Sequence, residues 1–233
     1  MPSSTAPHSV DPKVSSDPAR TLAVAAYHQL RSDIVSGSLK PGEKLKTEHL
    51  KNHYNVGAAT LREALALLTA DGLVVAQQQR GFSVAPMSLA DFRDITETRA
   101  ALEMQSIRLA VRRGDDEWEA NLAAAFHRLA RAEGRLAAGD VDVFYWEDCN
   151  RKFHEALTAG SESKWTQSFI SVLYRQSERY RRLVFMKTPG RDVHHEHARI
   201  FEAAITRNEE LAAALIAEHV RSTLNAVIAF CSK

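Results

Sequence analysis

Three histidines in the second half of the chain have the residue type and spacing to hold a metal ion. His197 and His219 lie in two consecutive helical patterns that break near Arg207 to Glu209, and each sits on a stripe of otherwise apolar residues. In the segment NRKFHEAL, Asn150 and His154 are four residues apart, so both side chains project from one face of a helix. Four nitrogen or oxygen ligands on three helices are the minimum for a metal site inside a helical bundle.

Each histidine also has an ordinary alternative role as a hydrogen-bonded core residue. For any one histidine alone that role is the commoner, but three at these spacings, with Asn150 in register, favour metal or effector binding. Neighbouring polar residues are assigned to the outside of the bundle or to helix capping: Glu155, His194, His195 and Glu196.

The composition is that of an ordinary globular protein large enough for two modest domains. The chain has 233 residues, of which 45% are hydrophobic and 25% charged, and a net charge of +1. Two cysteines without CxxC spacing, Cys149 and Cys231, give neither a disulfide framework nor a cysteine-rich zinc motif. No apolar run approaches the length of a membrane span and no signal pattern opens the chain, so we expect a cytoplasmic protein without membrane contact.

The positive charge is concentrated near the N-terminus. Between Arg20 and Pro86 there are eight basic residues against five acidic ones, whereas the remainder is slightly acidic. This asymmetry fits a small anion-binding module, although such a surplus is also common on solvated helix faces.

The N-terminal third predicts a winged helix-turn-helix domain at residues 19–86. Residues 1–18 are rich in Ser, Pro and Ala and are expected to form a disordered arm. Three helical patterns follow, starting near Thr21, Thr47 and Ala59, and then two strand-like runs, 73–76 and 82–85, joined by QQQRG. Three helices and a hairpin are typical of a winged helix-turn-helix, and a generic three-helix packing module is the alternative.

Three segments of this region carry a family resemblance. GSLKPGEKL, NVGAATLREALALLTADGLV and QRGFSVAP together resemble the DNA-binding domain of the GntR family of bacterial transcription regulators. The resemblance implies that double-stranded operator DNA is contacted by the start of the recognition helix, by an arginine within it and by the wing-tip glycine. By position these residues are Gly57, Ala58, Ala59, Thr60, Arg62 and Gly81.

The resemblance departs from the family pattern at the start of the recognition helix. Where the family has a Ser-Arg-Thr-Pro-like run, this chain has Gly57, Ala58, Ala59 and Thr60, so the base preference of relatives does not carry over. Arg62 is the leading candidate for a base or phosphate contact, and its alternative is a surface ion pair with a neighbouring glutamate. Basic residues assigned to phosphate contact, or otherwise to a solvated surface, are Lys44, Lys46 and Arg80.

After Pro86 the sequence predicts six consecutive helices, and thus a mainly α protein ending in an antiparallel all-α bundle. Ser88 is expected to cap the first helix, and no strand pattern interrupts the six. Residues 87–92 form a linker and the start of this helix, and residues 93–233 form the effector-binding and dimerisation domain.

Four segments of the bundle carry a second resemblance. ETRAALEMQSIRLA, FHEAL, EHARIFEAAI and AEHV resemble the FCD-type ligand-binding domain of the FadR branch of GntR regulators, over about residues 90–231. In metal-binding members an acidic residue and three histidines hold a divalent ion beside a small acid. The resemblance therefore implies His154, His197, His219 and Asn150 as ligands of a divalent ion, with zinc the first candidate and nickel or manganese the alternatives.

Asn150 stands where aspartate is more usual, and Asp148 is the obvious substitute. On a helix Asp148 lies about 120° from His154, whereas Asn150 lies within about 40°, which favours Asn150 as the ligand through its carbonyl oxygen.

The expected effector is a small organic acid. Neutral ligands leave the charge of the ion uncompensated, so its open positions should attract a carboxylate, and Arg99, on the inward face of the first bundle helix, could clamp that carboxylate. Gln176 and Tyr180 interrupt an apolar stripe that includes Phe169, which makes them candidate pocket-lining residues or polar residues at the edge of the core.

The leading hypothesis is a homodimeric regulator, expected to be a repressor, whose DNA affinity changes when the effector binds. Two alternatives remain from the residues alone. A three-histidine ion with an open position also describes a metal-dependent hydrolase or isomerase. An ion that only holds the helices together would be structural, and its removal would unfold the domain.

Overall fold

The computed structural model describes residues 18–77, 81–184 and 191–232. Its N-terminal part runs in the order α1 (Pro18–Ser36), β1 (Lys44–Leu45), α2 (Thr47–Tyr54), α3 (Ala58–Ala70), β2 (Val74–Gln77) and β3 (Gly81–Val84). Its C-terminal part contains α4 (Leu89–Arg113), α5 (Asp116–Ala137), α6 (Val143–Ala159), α7 (Lys164–Val184), α8 (Val193–Ile205) and α9 (Glu209–Cys231).

The predicted fold class is confirmed: the protein is mainly α, with a winged helix-turn-helix followed by a helical bundle. The domain boundaries at residues 19–86, 87–92 and 93–233 stay predictions. Of the arm expected at residues 1–18, only Pro18, the first residue of α1, lies within the described part.

The core of the N-terminal part forms between α1 and α3. The buried face of α3 consists of Leu61, Ala64, Leu65 and Leu68, the stripe that its sequence predicts, and it packs on residues such as Leu30 of α1. Because these side chains repeat at intervals of three and four residues, they lie on one side of the helix and leave its other side to solvent.

The wing is a three-stranded antiparallel sheet in the order β1-β3-β2. Val74 pairs with Val84 across β2 and β3, and Lys44 pairs with Ser83 across β1 and β3. The sequence predicts β2 and β3 but not β1, because two residues are too few to show an alternating pattern.

In the bundle the long helices α4 and α9 pack along each other. Small residues on α9, including Ala212, Ala213 and Ala217, are buried at this and neighbouring contacts, which permits close approach of the helices. Five bundle helices begin with a side chain that accepts a hydrogen bond from a first-turn N–H, namely Ser88, Asp115, Asp142, Asp192 and Asn208.

Helix α9 departs from one expectation. It is 23 residues long and contains an 18-residue window of mean hydropathy 1.2, so by length and composition it matches a membrane span, which the sequence was not expected to contain. Since 61% of that window is buried inside the structure, its apolar character is that of a core helix.

Helix α7 connects the two parts of the protein. Glu178 forms an ion pair with Arg31 of α1, and Arg179 donates a hydrogen bond of 2.7 Å to the carbonyl oxygen of Ala85. Polar contacts of this kind hold the winged part against the bundle with defined partners rather than through an apolar surface.

Two glycines give a test of packing in the bundle. A Cβ atom on Gly114 would lie 2.4 Å from Trp118 Cε3 and 2.6 Å from the Ala110 carbonyl oxygen, whereas a Cβ atom on Gly134, inside α5, would meet nothing within 4 Å. We expect Gly114→Ala to destabilise the protein by roughly 1–3 kcal/mol, because the surroundings must move. Gly134→Ala should stabilise it by about 1 kcal/mol, because alanine is the better helix former. Urea unfolding followed by tryptophan fluorescence measures both, and shifts of the same sign would contradict this packing.

Candidate metal and effector site

The structure brings the three predicted histidines together in the interior of the bundle. His154 comes from α6, His197 from α8 and His219 from α9, and one potential ligand atom of each lies within 4.8 Å of the others. The ring centroids are separated by 5.9 Å between His154 and His197, 5.3 Å between His154 and His219, and 4.6 Å between His197 and His219. All three side chains are buried.

Each imidazole is paired with a glutamate through its Nδ1 atom. His154 Nδ1 lies 3.2 Å from Glu103 Oε2. His197 Nδ1 lies 2.7 Å from Glu133 Oε1, and His219 Nδ1 lies 2.7 Å from Glu196 Oε2. A carboxylate at Nδ1 fixes the tautomer in which this nitrogen carries the proton, so the Nε2 atom is left as a lone-pair donor.

The Nε2 atoms have the surroundings expected of metal ligands. Within the described part of the chain, Nε2 of His154 and Nε2 of His197 are buried and have no hydrogen-bond partner. A buried polar atom without a partner costs about 1–3 kcal/mol, and a bound cation removes that cost. The donor set and the carboxylates behind it therefore fit a divalent metal ion.

Asn150, one helical turn before His154 on α6, also has a buried atom without a partner among the described residues. Its Oδ1 atom is buried without a hydrogen-bond partner among the described residues, while its Nδ2 donates a 2.7 Å hydrogen bond to the hydroxyl of Tyr174. This hydrogen bond orients the amide so that its oxygen is the free atom. The alternative, Asp148, instead forms ion pairs with Arg151 and Lys152 in a partly exposed cluster.

Arg99 lies beside His154 and is buried. Its Nε donates a 2.5 Å hydrogen bond to Glu103 Oε1, its Nη2 lies 3.3 Å from His154 Nδ1, and its guanidinium lies 4.6 Å from the ring centroid of Tyr174. His154 Nδ1 can accept a hydrogen bond from Arg99 or donate one to Glu103, but these two contacts require opposite tautomers. Only the tautomer that donates to Glu103 leaves Nε2 free to bind a cation.

Burial and charge together set the ionisation of the site. Burial lowers the pKa of His154 to about 4, because the charge of Glu103 offsets only part of the lost hydration. Burial also lowers the pKa of His219 well below its ordinary value, against the hydrogen bond to Glu196. Burial alone would raise the pKa of Glu103, but the charges of Arg99 and His154 outweigh it and lower this pKa to about 2. His154 and His219 are consequently neutral near pH 7, as metal ligands must be.

Comparison with known proteins identifies the family of this chain. Residues 22–84 match the family model described as bacterial regulatory proteins, gntR family, and residues 94–222 match the FCD domain. This chain belongs to the GntR family. The predicted membership of its FadR branch, with an FCD-type domain, is confirmed.

Relatives along most of the chain agree. The Uncharacterized HTH-type transcriptional regulator BphR of Paraburkholderia xenovorans is 46% identical over 213 residues, which cover 91% of this chain and 87% of that protein. The HTH-type transcriptional repressor GlaR of Escherichia coli is 34% identical over 199 residues, covering 83% and 90%. The E. coli McbR/YncC structure shares the fold, with a TM-score of 0.72 at 20% identity over 89% of this chain and 97% of that one. This GntR protein is a DNA-binding transcription regulator and not an enzyme.

The two residues predicted to line the effector pocket, Gln176 and Tyr180, have other partners in this structure, and their role in effector binding stays a prediction. Gln176 donates a hydrogen bond to the carbonyl oxygen of Asp71 in the winged part, and the hydroxyl of Tyr180 lies 2.7 Å from Asp91 while its ring stacks on Phe92. The apolar stripe that suggested them is displaced around α7, since Phe169, assigned to its buried face, is 56% exposed. The helix contacts the site through Tyr174 instead.

The three glutamates that contact the histidines are not among the site residues predicted from the sequence. Glu103 follows Arg99 by four residues, a spacing that could have indicated the buried ion pair. Glu196 was assigned to the outside, yet its carboxylate reaches His219 on the neighbouring helix. Glu133 on α5 carries no sequence signal at all, because only the packing of α5 against α8 brings it to His197.

The residues predicted to contact DNA lie in the winged part. Gly57 is the N-cap of α3 and contributes no side-chain cap, so N–H groups of the first turn of α3 are left without that partner. Arg62 is exposed and, within the described residues, forms no ion pair with Glu43 or Glu63. Exposed residues of the predicted set are Lys44, Lys46, Gly57, Ala59, Arg62 and Gly81, and half-buried ones are Ala58 and Thr60. Arg80 lies outside the described residues.

The lowered pKa of His154 predicts acid sensitivity of the metal-free protein. A histidine that is neutral when folded, with a pKa of about 4, takes up a proton near pH 6.5 when the chain unfolds. Above pH 6.5 the ring is neutral in both states and the free energy of unfolding is not reduced. As the pH falls from 6.5 to 4, the free energy of unfolding decreases by roughly 3 kcal/mol. Urea unfolding between pH 7.5 and 4.5, followed by tryptophan fluorescence after chelation, measures this loss. His154→Gln should reduce the dependence and the exposed His195→Gln should leave it unchanged, whereas a stability independent of pH would contradict the assignment.

Proposed function

We propose that this regulator is a homodimeric, cytoplasmic repressor whose operator affinity is set by a small carboxylate bound beside a divalent metal ion in the bundle. The observation that carries the proposal is the group of buried, unpartnered atoms on Asn150, His154 and His197, two of them on imidazoles held by glutamates. Such an arrangement costs stability unless a cation occupies it.

The chain would hold the ion through Asn150 Oδ1 and the Nε2 atoms of His154, His197 and His219. Nitrogen and amide-oxygen ligands suit zinc first, with nickel or manganese as alternatives. When bound, the ion supplies positive charge and open coordination positions for a carboxylate. The glutamates at each Nδ1 fix the rings so that little order has to be gained on binding.

The surrounding charges favour a singly charged carboxylate group at the ion. Three glutamates, Glu103, Glu133 and Glu196, stand behind the histidines, and two arginines, Arg99 and Arg191, pair with two of them. The three glutamates and two arginines together carry a net charge of −1. With a divalent ion bound, the net charge of the site is therefore +1, whereas the neutral ligands alone would leave it at +2. The Nη1 atom of Arg99 forms no hydrogen bond within the described residues and is a donor for an effector oxygen.

Metal content of the purified protein tests the site. We expect close to one ion per chain in the wild type and less than a tenth of that in His197→Ala, because one of the ligands is lost. His195→Ala, an exposed histidine on the same helix, should keep the ion. A wild-type protein that takes up no zinc, nickel or manganese would contradict the proposal.

Thermal melts against mono- and dicarboxylates then separate an effector site from a structural ion. An effector site predicts that one acid raises the melting temperature of the metal-loaded protein only, by mass action on the folded state. If chelation unfolds the bundle and no acid shifts the melt, the ion is structural.

DNA recognition is assigned to the start of α3 and the wing. The uncapped first turn of α3 offers N–H groups to phosphate, and the exposed Arg62 follows within the same helix. Lys44, Lys46 and Arg80 are assigned to phosphate contacts, and Gly81, at φ +84°, to the close approach of the wing to DNA. The repressor role is proposed by similarity to the transcriptional repressor GlaR.

Arg62→Ala tests this assignment. An operator obtained by selection from random DNA should bind the variant at least about fivefold more weakly, since one arginine contact to a base is worth about 1–3 kcal/mol. Metal content should not change, and the control Arg128→Ala, an exposed arginine on α5, should bind the operator as the wild type does. Undiminished operator binding by Arg62→Ala would remove this residue from the DNA interface.

A further inference from the structure

Three consecutive residues on α7 touch both the metal site and the recognition helix. Tyr174 contacts the predicted ligand Asn150, whereas Arg175 and Gln176 contact Asp71 at the end of α3. The side chains of adjacent helical residues project about 100° apart, so one short segment faces the bundle interior and the winged part at the same time.

The contact on the metal side is made by the hydroxyl of Tyr174. It accepts a 2.7 Å hydrogen bond from Asn150 Nδ2 and lies 3.0 Å from Glu147 Oε1, to which it donates. Two guanidinium groups contact the ring, with Arg99 at 4.6 Å and Arg181 at 4.4 Å from its centroid. Tyr174 is thus held by contacts to its hydroxyl and to its ring, one of which is to Asn150.

The contact on the DNA side holds the C-terminus of the recognition helix. Asp71 is the C-cap of α3, and its carboxylate lies 3.0 Å from Arg175 while its carbonyl oxygen accepts the hydrogen bond from Gln176. Tyr27 of α1 donates a 2.5 Å hydrogen bond to the same carboxylate. A Cβ atom on Gly72 would come within 2.9 Å of Gln176 Nε2, so the turn after α3 and the side chain of Gln176 fit closely.

Next to this contact the two parts are separated by a cavity of about 380 Å³, lined by residues such as Tyr27, Arg31, Tyr174 and Glu178. A cavity beside a set of discrete polar contacts leaves α7 room to change its position relative to α1. Close packing, by contrast, would oppose such a change.

We propose that Tyr174 is a positioning residue that couples the occupancy of Asn150 to the recognition helix through Arg175 and Gln176. This inference rests on the proposed metal site. Without an ion, Asn150 Oδ1 has no partner among the described residues, and the hydrogen bond that the amide forms with them is the one to Tyr174. With an ion, the oxygen is fixed and the amide N–H becomes a stronger donor to the Tyr174 hydroxyl. The two states therefore differ in how firmly α7, and with it the end of α3, is held.

Hydrogen–deuterium exchange of the full chain, with zinc alone as the probe, tests the coupling without a known operator. The amides of Asp71, Gly72 and Leu73 report on the end of α3, since each donates a backbone hydrogen bond to that helix. We expect saturating zinc to slow their exchange in the wild type by about 5-fold or more, the lower end of measured couplings between sites.

Two variants interrupt the route at its two ends. Tyr174→Phe keeps the ring in contact with the arginines and removes the hydroxyl, so zinc should still bind at saturation but no longer slow exchange at Asp71 to Leu73. The double variant Arg175→Ala with Gln176→Ala touches no metal ligand, so it should bind zinc with wild-type affinity and also lose the effect on α3. Tyr145→Phe, at a 47% exposed tyrosine of α6, should behave as the wild type.

The outcomes separate this inference from the proposed function. If zinc binds and protects α6, α8 and α9, but protection at α3 is absent in the wild type or persists in both variants, the coupling is overturned while the metal site stands. If the wild type binds no zinc by direct titration, the metal site fails and the coupling fails with it.

Discussion

The FCD domain depends on the pairing of each buried histidine with a carboxylate at Nδ1. Three buried imidazoles, with one potential ligand atom of each within 4.8 Å of the others, would otherwise have no fixed tautomer or orientation. Glu103, Glu133 and Glu196 fix them by coming from three helices, α4, α5 and α8. The cost of burying these carboxylates is offset by the histidines themselves and, for Glu103 and Glu196, by Arg99 and Arg191. The position of five of the six bundle helices is thereby tied to one small site.

The sixth helix, α7, contacts both the interior of the bundle and the winged part. Its inner face carries Tyr174 and Arg181, which contact the site and Glu147, while its outer face carries the polar contacts to α1 and to the end of α3. Directional contacts of this kind specify their partners and geometry, so a shift of one partner displaces the other. A helix held in this way suits the transfer of a small displacement between two domains.

The proposed ion and the acid sensitivity of the metal-free protein have the same physical origin. Burial lowers the pKa of His154 and of His219, which keeps both rings neutral and ready to bind a cation. The same burial makes their protonation costly, so the empty site is a weakness of the fold at low pH. A cation that binds only the folded protein raises the free energy of unfolding, so it should offset the destabilisation caused by the empty site.

The sequence by itself determined the helices, two of the three strands, the family and the three histidines. Helical periodicity, turn residues and the spacing of Asn150 and His154 are local properties, and the buried stripe of α3 and the Ser88 cap of α4 follow from them. Only the tertiary structure decided which residues complete the site. Glu133 reaches His197 across a helix interface, and the face of α7 that turns inward carries Tyr174 rather than Gln176, because packing against two domains sets the rotation of that helix. Contacts between distant segments depend on this packing, and no local pattern in one sequence encodes it.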